Sequence, residues 1–250
     1  MALLTSREKE IMRILSDDST QSASQLSARL GVSAVTIRTD LNNLASKGYM
    51  VLRRGAAFPA FHQSILDRQE TGMEEKNRIA KAAAELIHDG DRIMLVAGTT
   101  PALVAKYLFG KRDVHIVTNS TLLLPYVRIN PSVHVTLVGG EFRPWTEGVV
   151  GPIALAELKR FHVQMAFIGC DGLTPDKGAT AHHVEDAEVV RTMAEQSEKL
   201  VLVTDSTKYG KTGFAHMLPL AKIDMLITDD KLDAAAKAQL TELGVEFKVV

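Results

Sequence analysis

Apolar positions in the first fifty residues recur at helical spacing. Thr5-x-x-Glu8 reads as a capping box, and Ile11, Ile14 and Leu15 follow it on one helical face. The polar run 16–21 breaks that helix. A second helix carries Leu26 and Leu30 and stops at Gly31, a residue suited to the left-handed conformation that ends helices. Ser33 can cap a third helix over 34–46, ending near Gly48, and residues 49–58 read as two short strands around Arg53-Arg54-Gly55. A connector of mixed polarity opens at Phe58-Pro59. From Glu74 the pattern becomes a helix over 74–88 and then short apolar runs at 93–96, 114–117, 133–138, 164–168, 200–203, 225–227 and 245–250, most of them separated by helical stretches. Strands alternating with helices predict a parallel sheet covered on both faces. The expected organisation is a helical module over 1–57, a linker over 58–73 and an α/β domain over 74–250.

The third helix can be tested by its own geometry. At about 100° per residue, Ile37, Leu41 and Leu44 fall in one narrow stripe. The opposite side carries Val35, Thr39 and Asn42, flanked by Thr36, Arg38 and Asn43, with no acid on the outermost positions. A solvated face usually shows Glu and Lys. Asn and Arg instead suit base edges, and Val or Thr methyls suit thymine methyls. Two helices joined by a Gly turn are the frame of a helix-turn-helix, whose second helix enters the major groove. The DNA-contacting candidates are therefore Ser33, Val35, Thr36, Arg38, Thr39, Asn42, Asn43, Arg53 and Arg54, the last two at a hairpin tip within reach of phosphates.

Charge changes the picture only through its distribution. The 250-residue chain is nearly neutral at −1, but residues 1–62 hold eight Lys/Arg against five acids, and the remainder holds 21 against 25. A basic head on an acidic body fits a DNA module joined to another domain. No apolar run is long enough for a membrane, and the early charges leave no apolar stretch of a secretory signal, so a cytoplasmic location is expected. The single cysteine, Cys170, cannot form an internal disulfide. It follows a strand with no partner base nearby in sequence, which reads as a buried or ligand-lining thiol. His182-His183 are adjacent and point apart, and His115 and His134 lie in separate strands, so no histidine spacing matches a zinc site. No metal and no cofactor are expected.

In the α/β half, successive strand ends carry small or polar residues, where open α/β sheets bind ligands. They are Gly98-Thr99-Thr100, Thr118-Asn119-Ser120, Gly139-Gly140 with Arg143 close behind, Asp171 within Gly169–Gly172, and Lys208 within Asp205–Lys208. Free N–H groups near Gly98 and the Lys208 cation suit a phosphate, and carboxylates suit sugar hydroxyls.

Residues 23–48, through Gly31-Val32-Ser33, Thr36-Ile37-Arg38, Asp40-Leu41, Leu44 and Gly48, resemble the winged helix-turn-helix of the DeoR family of bacterial repressors. The resemblance continues through Asp89-Gly90-Asp91, Ala97–Thr100, Thr118–Ser120, Gly139-Gly140, Gly151-Pro152, Asp171-Gly172, Glu185-x-Ala187 and Asp205-Ser206-x-Lys208. It implies a Rossmann-like sensor similar in fold to ribose-5-phosphate isomerase, operator DNA as partner, a phosphorylated sugar as effector, and a homo-oligomer, dimer or tetramer. It also adds Glu185 to the effector candidates. The chain departs from the family pattern at Thr39, where a second Arg is usual, at Gly55-Ala56-Ala57 in place of Gly-Gly-Ala, at Val96 in place of Asp, and at His183 in place of Asn. The alternatives are a sugar-phosphate isomerase using Asp171, Glu185 and Lys208, and a winged helix that binds protein instead of DNA.

Overall fold

The computed structural model describes residues 4–53 and 56–250. The chain divides into two compact units, Met1–Thr71 and Gly72–Val250.

The first unit opens with α1 (Ser6–Asp17), whose capping box is closed reciprocally by Thr5 and Glu8. Ser22 and Gln25 repeat the device at α2 (Ala23–Leu30), and Gly31 ends that helix at φ +67°. Ser33 caps α3 (Ala34–Ser46) by accepting from the Thr36 N–H. β1 (Met50–Arg53) and β2 (Ala56–Pro59) pair antiparallel, with Val51 opposite Phe58. Arg54 and Gly55, where the wing tip was expected, lie outside the described residues. Ile11, Met12, Ile14, Leu15, Leu26, Ile37 and Leu44 form the core.

The connector expected over 58–73 is corrected by the structure. Residues Gln63–Glu70 form α4, capped by His62, which accepts from the Ser64 N–H. Leu66 joins the core of the first unit, and Glu70 pairs with Lys9 of α1 at 2.7 Å. A helix with two buried apolar residues, Ile65 and Leu66, has too thin a stripe to stand out by periodicity.

The second unit begins with α5 (Met73–Ala84). It continues through β3 (Arg92–Leu95), α6 (Thr99–Val104), β4 (Val114–Thr118), α7 (Leu124–Val127), β5 (Val133–Leu137), β6 (Glu141–Arg143), β7 (Gly148–Val150), α8 (Pro152–Leu158) and β8 (Val163–Ile168). It closes with β9 (Gly172–Thr174), β10 (Gly178–Ala181), α9 (Val184–Glu195), β11 (Ser197–Val203), β12 (Ala215–Leu218), β13 (Met225–Thr228), α10 (Ala234–Glu242) and β14 (Phe247–Val249). The seven apolar runs read from the sequence correspond to the seven strands of one parallel sheet, ordered β14-β13-β11-β8-β3-β4-β5. Strand order reverses between β3 and β8, which makes a Rossmann-like switch point there. Short antiparallel elements, β6–β7 and β12-β10-β9, lie outside that sheet. Among the described residues, no helix is long and apolar enough to cross a membrane.

Candidate DNA-binding helix and effector rim

In α3 the inner residues Ile37, Leu41 and Leu44 are buried, as is Asp40. Asp40 accepts two hydrogen bonds from Arg7 of α1, at 2.6 and 3.2 Å, a fork that fits the planar guanidinium. Two turns further on, at the end of α3, Lys47 reaches Glu8 at 2.8 Å. Burial pushes the Glu8 carboxyl up, but hydrogen bonds from Lys47 and Thr5 outweigh it and hold the carboxyl below its usual range. These two cross-links fix the roll of α3 on α1.

Ser33, Val35, Arg38, Thr39, Asn42 and Asn43 are exposed, and Thr36 is half-buried. Not all of these groups are available. Ser33 and Thr36 hydroxyls share a hydrogen bond at 2.9 Å, and the Thr39 hydroxyl donates to the Val35 carbonyl. The side chains of Arg38, Asn42 and Asn43 make no internal hydrogen bond or ion pair among the described residues. Fewer of the basic groups counted from the sequence are therefore free for another molecule. Arg7, Lys9, Arg13 and Lys47 are all matched by carboxylates.

The rim of the second unit runs along the carboxyl ends of the parallel strands. In sheet order it carries 205–208 after β11, 169–171 after β8, 98–100 after β3, 118–120 after β4 and 139–140 after β5. The switch point thus sits between Gly98–Thr100 and Gly169–Asp171. The two segments approach closely: Cβ atoms at Gly98 and Gly169 would meet the Pro101 ring at 3.2 and 3.4 Å.

Several predicted rim donors are engaged inside the protein. Thr118, Asn119 and Ser120 are buried. Thr118 Oγ1 donates to the Leu95 carbonyl at 2.6 Å and accepts from the Ser120 N–H. Asn119 accepts from the Ala97 N–H at 2.8 Å and donates to the Val149 carbonyl at 3.0 Å. Ser120 Oγ accepts from the Leu122 N–H. This trio locks the ends of β3 and β4 to the β6–β7 hairpin. The Gly139 N–H is taken by Glu157 at 2.6 Å, and a Cβ at Gly140 would fall 2.7 Å from the Val150 carbonyl.

Arg143 and Glu185 do come together, at 3.3 Å, although 42 residues apart. Arg143 is also paired with Glu141 and lies over the Trp145 ring, 5.5 Å from its centroid. The hydrogen bond to Glu185 from its own backbone N–H in the first turn of α9, aided by Arg143, holds that carboxyl below its usual range. Arg143, Trp145, His183, Glu185 and Asp186 line a cavity of about 280 Å³. Trp145 and Asp186 carried no signal in the sequence, since the Trp lies in a turn and the Asp resembles any first-turn acid. Elsewhere on the rim, Asp171 accepts from the His182 N–H at 2.8 Å. Desolvation pushes the Cys170 thiol up to about 12, against a hydrogen bond to Thr204, so it stays protonated at neutral pH and is a poor nucleophile. Lys208 is half-buried and has no carboxylate partner among the described residues.

A helix-turn-helix with a β-hairpin wing, followed by a parallel α/β unit with a polar rim at the carboxyl ends of its strands, defines a DNA-binding transcription regulator with a sensor domain. Residues 7–58 match the DeoR-like helix-turn-helix domain and residues 71–230 the DeoR C-terminal sensor domain. The chain belongs to the DeoR family of transcription regulators. It is 36% identical to the HTH-type transcriptional repressor GlcR of Bacillus subtilis (strain 168), over 90% of this chain and 88% of that one. It is 28% identical to the glycerol-3-phosphate regulon repressor of Escherichia coli (strain K12), over 98% of both. In fold, ribose 5-phosphate isomerase A of Methanocaldococcus jannaschii overlaps 56% of this chain and 55% of its own, with a TM-score of 0.41 at 17% identity. The relatives are repressors, so the isomerase reading gives way to the regulator.

Proposed function

We propose that this chain represses a carbohydrate-utilisation operon and is released from its operator by a phosphorylated sugar or polyol. The observation that carries the DNA half is the outer side of α3. Val35, Arg38, Thr39, Asn42 and Asn43 stand exposed there, while the acid of that helix, Asp40, is turned inward and neutralised by Arg7. In the major groove, Arg38 faces guanine or phosphate, the two Asn amides face adenine edges, and Ser33 and Thr36 hold the first turn in shape. Arg53 and Arg54, whose side chains lie outside the described residues, are assigned to phosphates by their place in the sequence.

The effector half rests on the division of labour along the rim. Lys208 and the N–H groups of Gly98, Thr99 and Thr100, beside the switch point, suit the phosphate. Arg143, Glu185 and Asp171 suit hydroxyls, while buried Thr118, Asn119 and Ser120, with exposed Gly139 and Gly140, hold the loops that present them. The name of the glycerol-3-phosphate regulon repressor is consistent with a small phosphate ester. A symmetric oligomer on paired half-sites is the expected DNA-bound form.

The test is fluorescence anisotropy with a labelled duplex from the region upstream of the gene, titrated with a panel of phosphorylated and unphosphorylated sugars. Binding reversed by a phosphorylated sugar, and not by its parent, is expected. Binding that no phosphorylated sugar reverses removes the effector assignment. Absence of binding to any duplex at low salt leaves the protein-binding winged helix.

A further inference from the structure

At the sheet edge away from the rim, His115 and His134 are the second residues of β4 and β5 and stand directly opposite each other in the parallel register. Adjacent strands lie about 4.8 Å apart, so the two imidazoles rise from one face side by side. Their rings stack with centroids 4.6 Å apart and planes 27° apart. Asp113 precedes β4 at φ +56°, in the left-handed region that few side chains other than Asn and Asp adopt readily. That backbone brings its carboxylate over the pair, with Oδ1 3.3 Å from His115 Nε2 and 3.6 Å from His134 Nε2. One donor atom from each of the three residues falls within 4.8 Å of the other two.

We propose that Asp113, His115 and His134 form a binding site for a divalent transition metal of the zinc, nickel or copper class. A tetrahedral ion with ligands at about 2.0–2.1 Å sets neighbouring donors about 3.4 Å apart, which is the spacing the carboxylate already keeps to both rings. Two imidazoles and a carboxylate suit these ions better than magnesium or calcium, which prefer oxygen ligands. The three side chains are 73, 50 and 59% exposed, so an ion can enter and keep solvent in its remaining position. The neighbouring cation Arg112 is held by Asp89 at 3.0 Å and does not compete for the Asp113 carboxylate. β5 is an edge strand of the sheet, and an ion here would staple it to β4 at the opposite end of the strands from the rim.

The probe is Zn2+ added to the untagged, chelator-treated full chain, followed by isothermal titration calorimetry and thermal unfolding. One ion per chain and a rise in Tm with zinc are expected, because a ligand that binds only the folded state stabilises it. His115→Gln and His134→Gln should each weaken zinc by at least about tenfold, since even an outer partner of a metal ligand typically costs that much when lost. His182→Gln/His183→Gln should leave zinc binding unchanged. Cu2+ on the wild type should show hyperfine coupling to two imidazole nitrogens, a readout that needs no variant. Failure of the wild type to bind, or binding equal in the His115→Gln/His134→Gln double variant, overturns the site.

Discussion

On the outer side of α3, Arg38, Asn42 and Asn43 stand in solvent with no internal partner among the described residues, whereas Thr118, Asn119 and Ser120 at the end of β4 are buried and bonded to backbone on both sides. Both groups look alike in sequence: polar residues where an ordinary element would show something else. The difference lies in what surrounds them. A surface helix has its backbone satisfied internally, so polar side chains on its outer side remain free for another molecule. A strand end leaves N–H and C=O groups without a ladder partner, and nearby side chains are drawn in to satisfy them. Polar residues at a sheet rim therefore divide into those that build the rim and those that face the ligand, and only the fold sorts them.

The sharpest way to break this contrast is Asn119→Ala. It leaves the Ala97 N–H and the Val149 carbonyl unpaired, at a cost of about 2–4 kcal/mol in urea unfolding. A loss below about 0.5 kcal/mol would mean that Asn119 is a ligand contact and not scaffolding. The matching change on the helix, Arg38→Ala, should leave stability unchanged and weaken operator binding by about 1–3 kcal/mol, with the salt slope reduced by about one. Unaltered anisotropy titrations at two salt concentrations would remove α3 from the interface. Lys208→Ala should keep operator affinity and lose release by the phosphorylated effector, read as anisotropy at saturating sugar phosphate. Full release in that variant would move the phosphate to Arg143.

The smallest effect is a pH dependence within the first unit. The Glu8 carboxyl sits below its ordinary 4.5 in the folded protein, so its contribution is complete above that value and disappears as pH falls through the lower folded value. The stability gap between wild type and Glu8→Gln should be widest near neutrality and close in acid. A gap that stays constant would show that the Lys47 contact is neutral in its effect.

Much of the architecture was legible because it rests on local pattern. The three N-terminal helices announce themselves through caps and one apolar stripe each, and the seven strands of the parallel sheet through short Val- and Ile-rich runs. β6, β7, β9, β10 and β12 were not read, since short segments interrupted by Gly, Ala, Thr, His or charged side chains form no apolar run like those that mark the parallel strands. α4 was read as a connector for want of apolar residues. At the sites, exposure along α3 followed from helical geometry, but the Arg7–Asp40 and Glu8–Lys47 pairs link positions more than thirty residues apart. The meeting of His115 with His134 depends on strand register, which no spacing along the chain encodes.

The hydroxyls of Ser33 and Thr36 close on each other, and Val35 between them is 69% exposed. In the groove, that leading turn would present methyl groups more than hydrogen-bonding ones. Recognition there becomes a matter of shape against the C5 position of thymine. A duplex carrying deoxyuridine in place of thymidine keeps every Watson–Crick edge and every phosphate, yet should bind more weakly wherever Val35 lands, and scanning that replacement along the operator would map where the helix points.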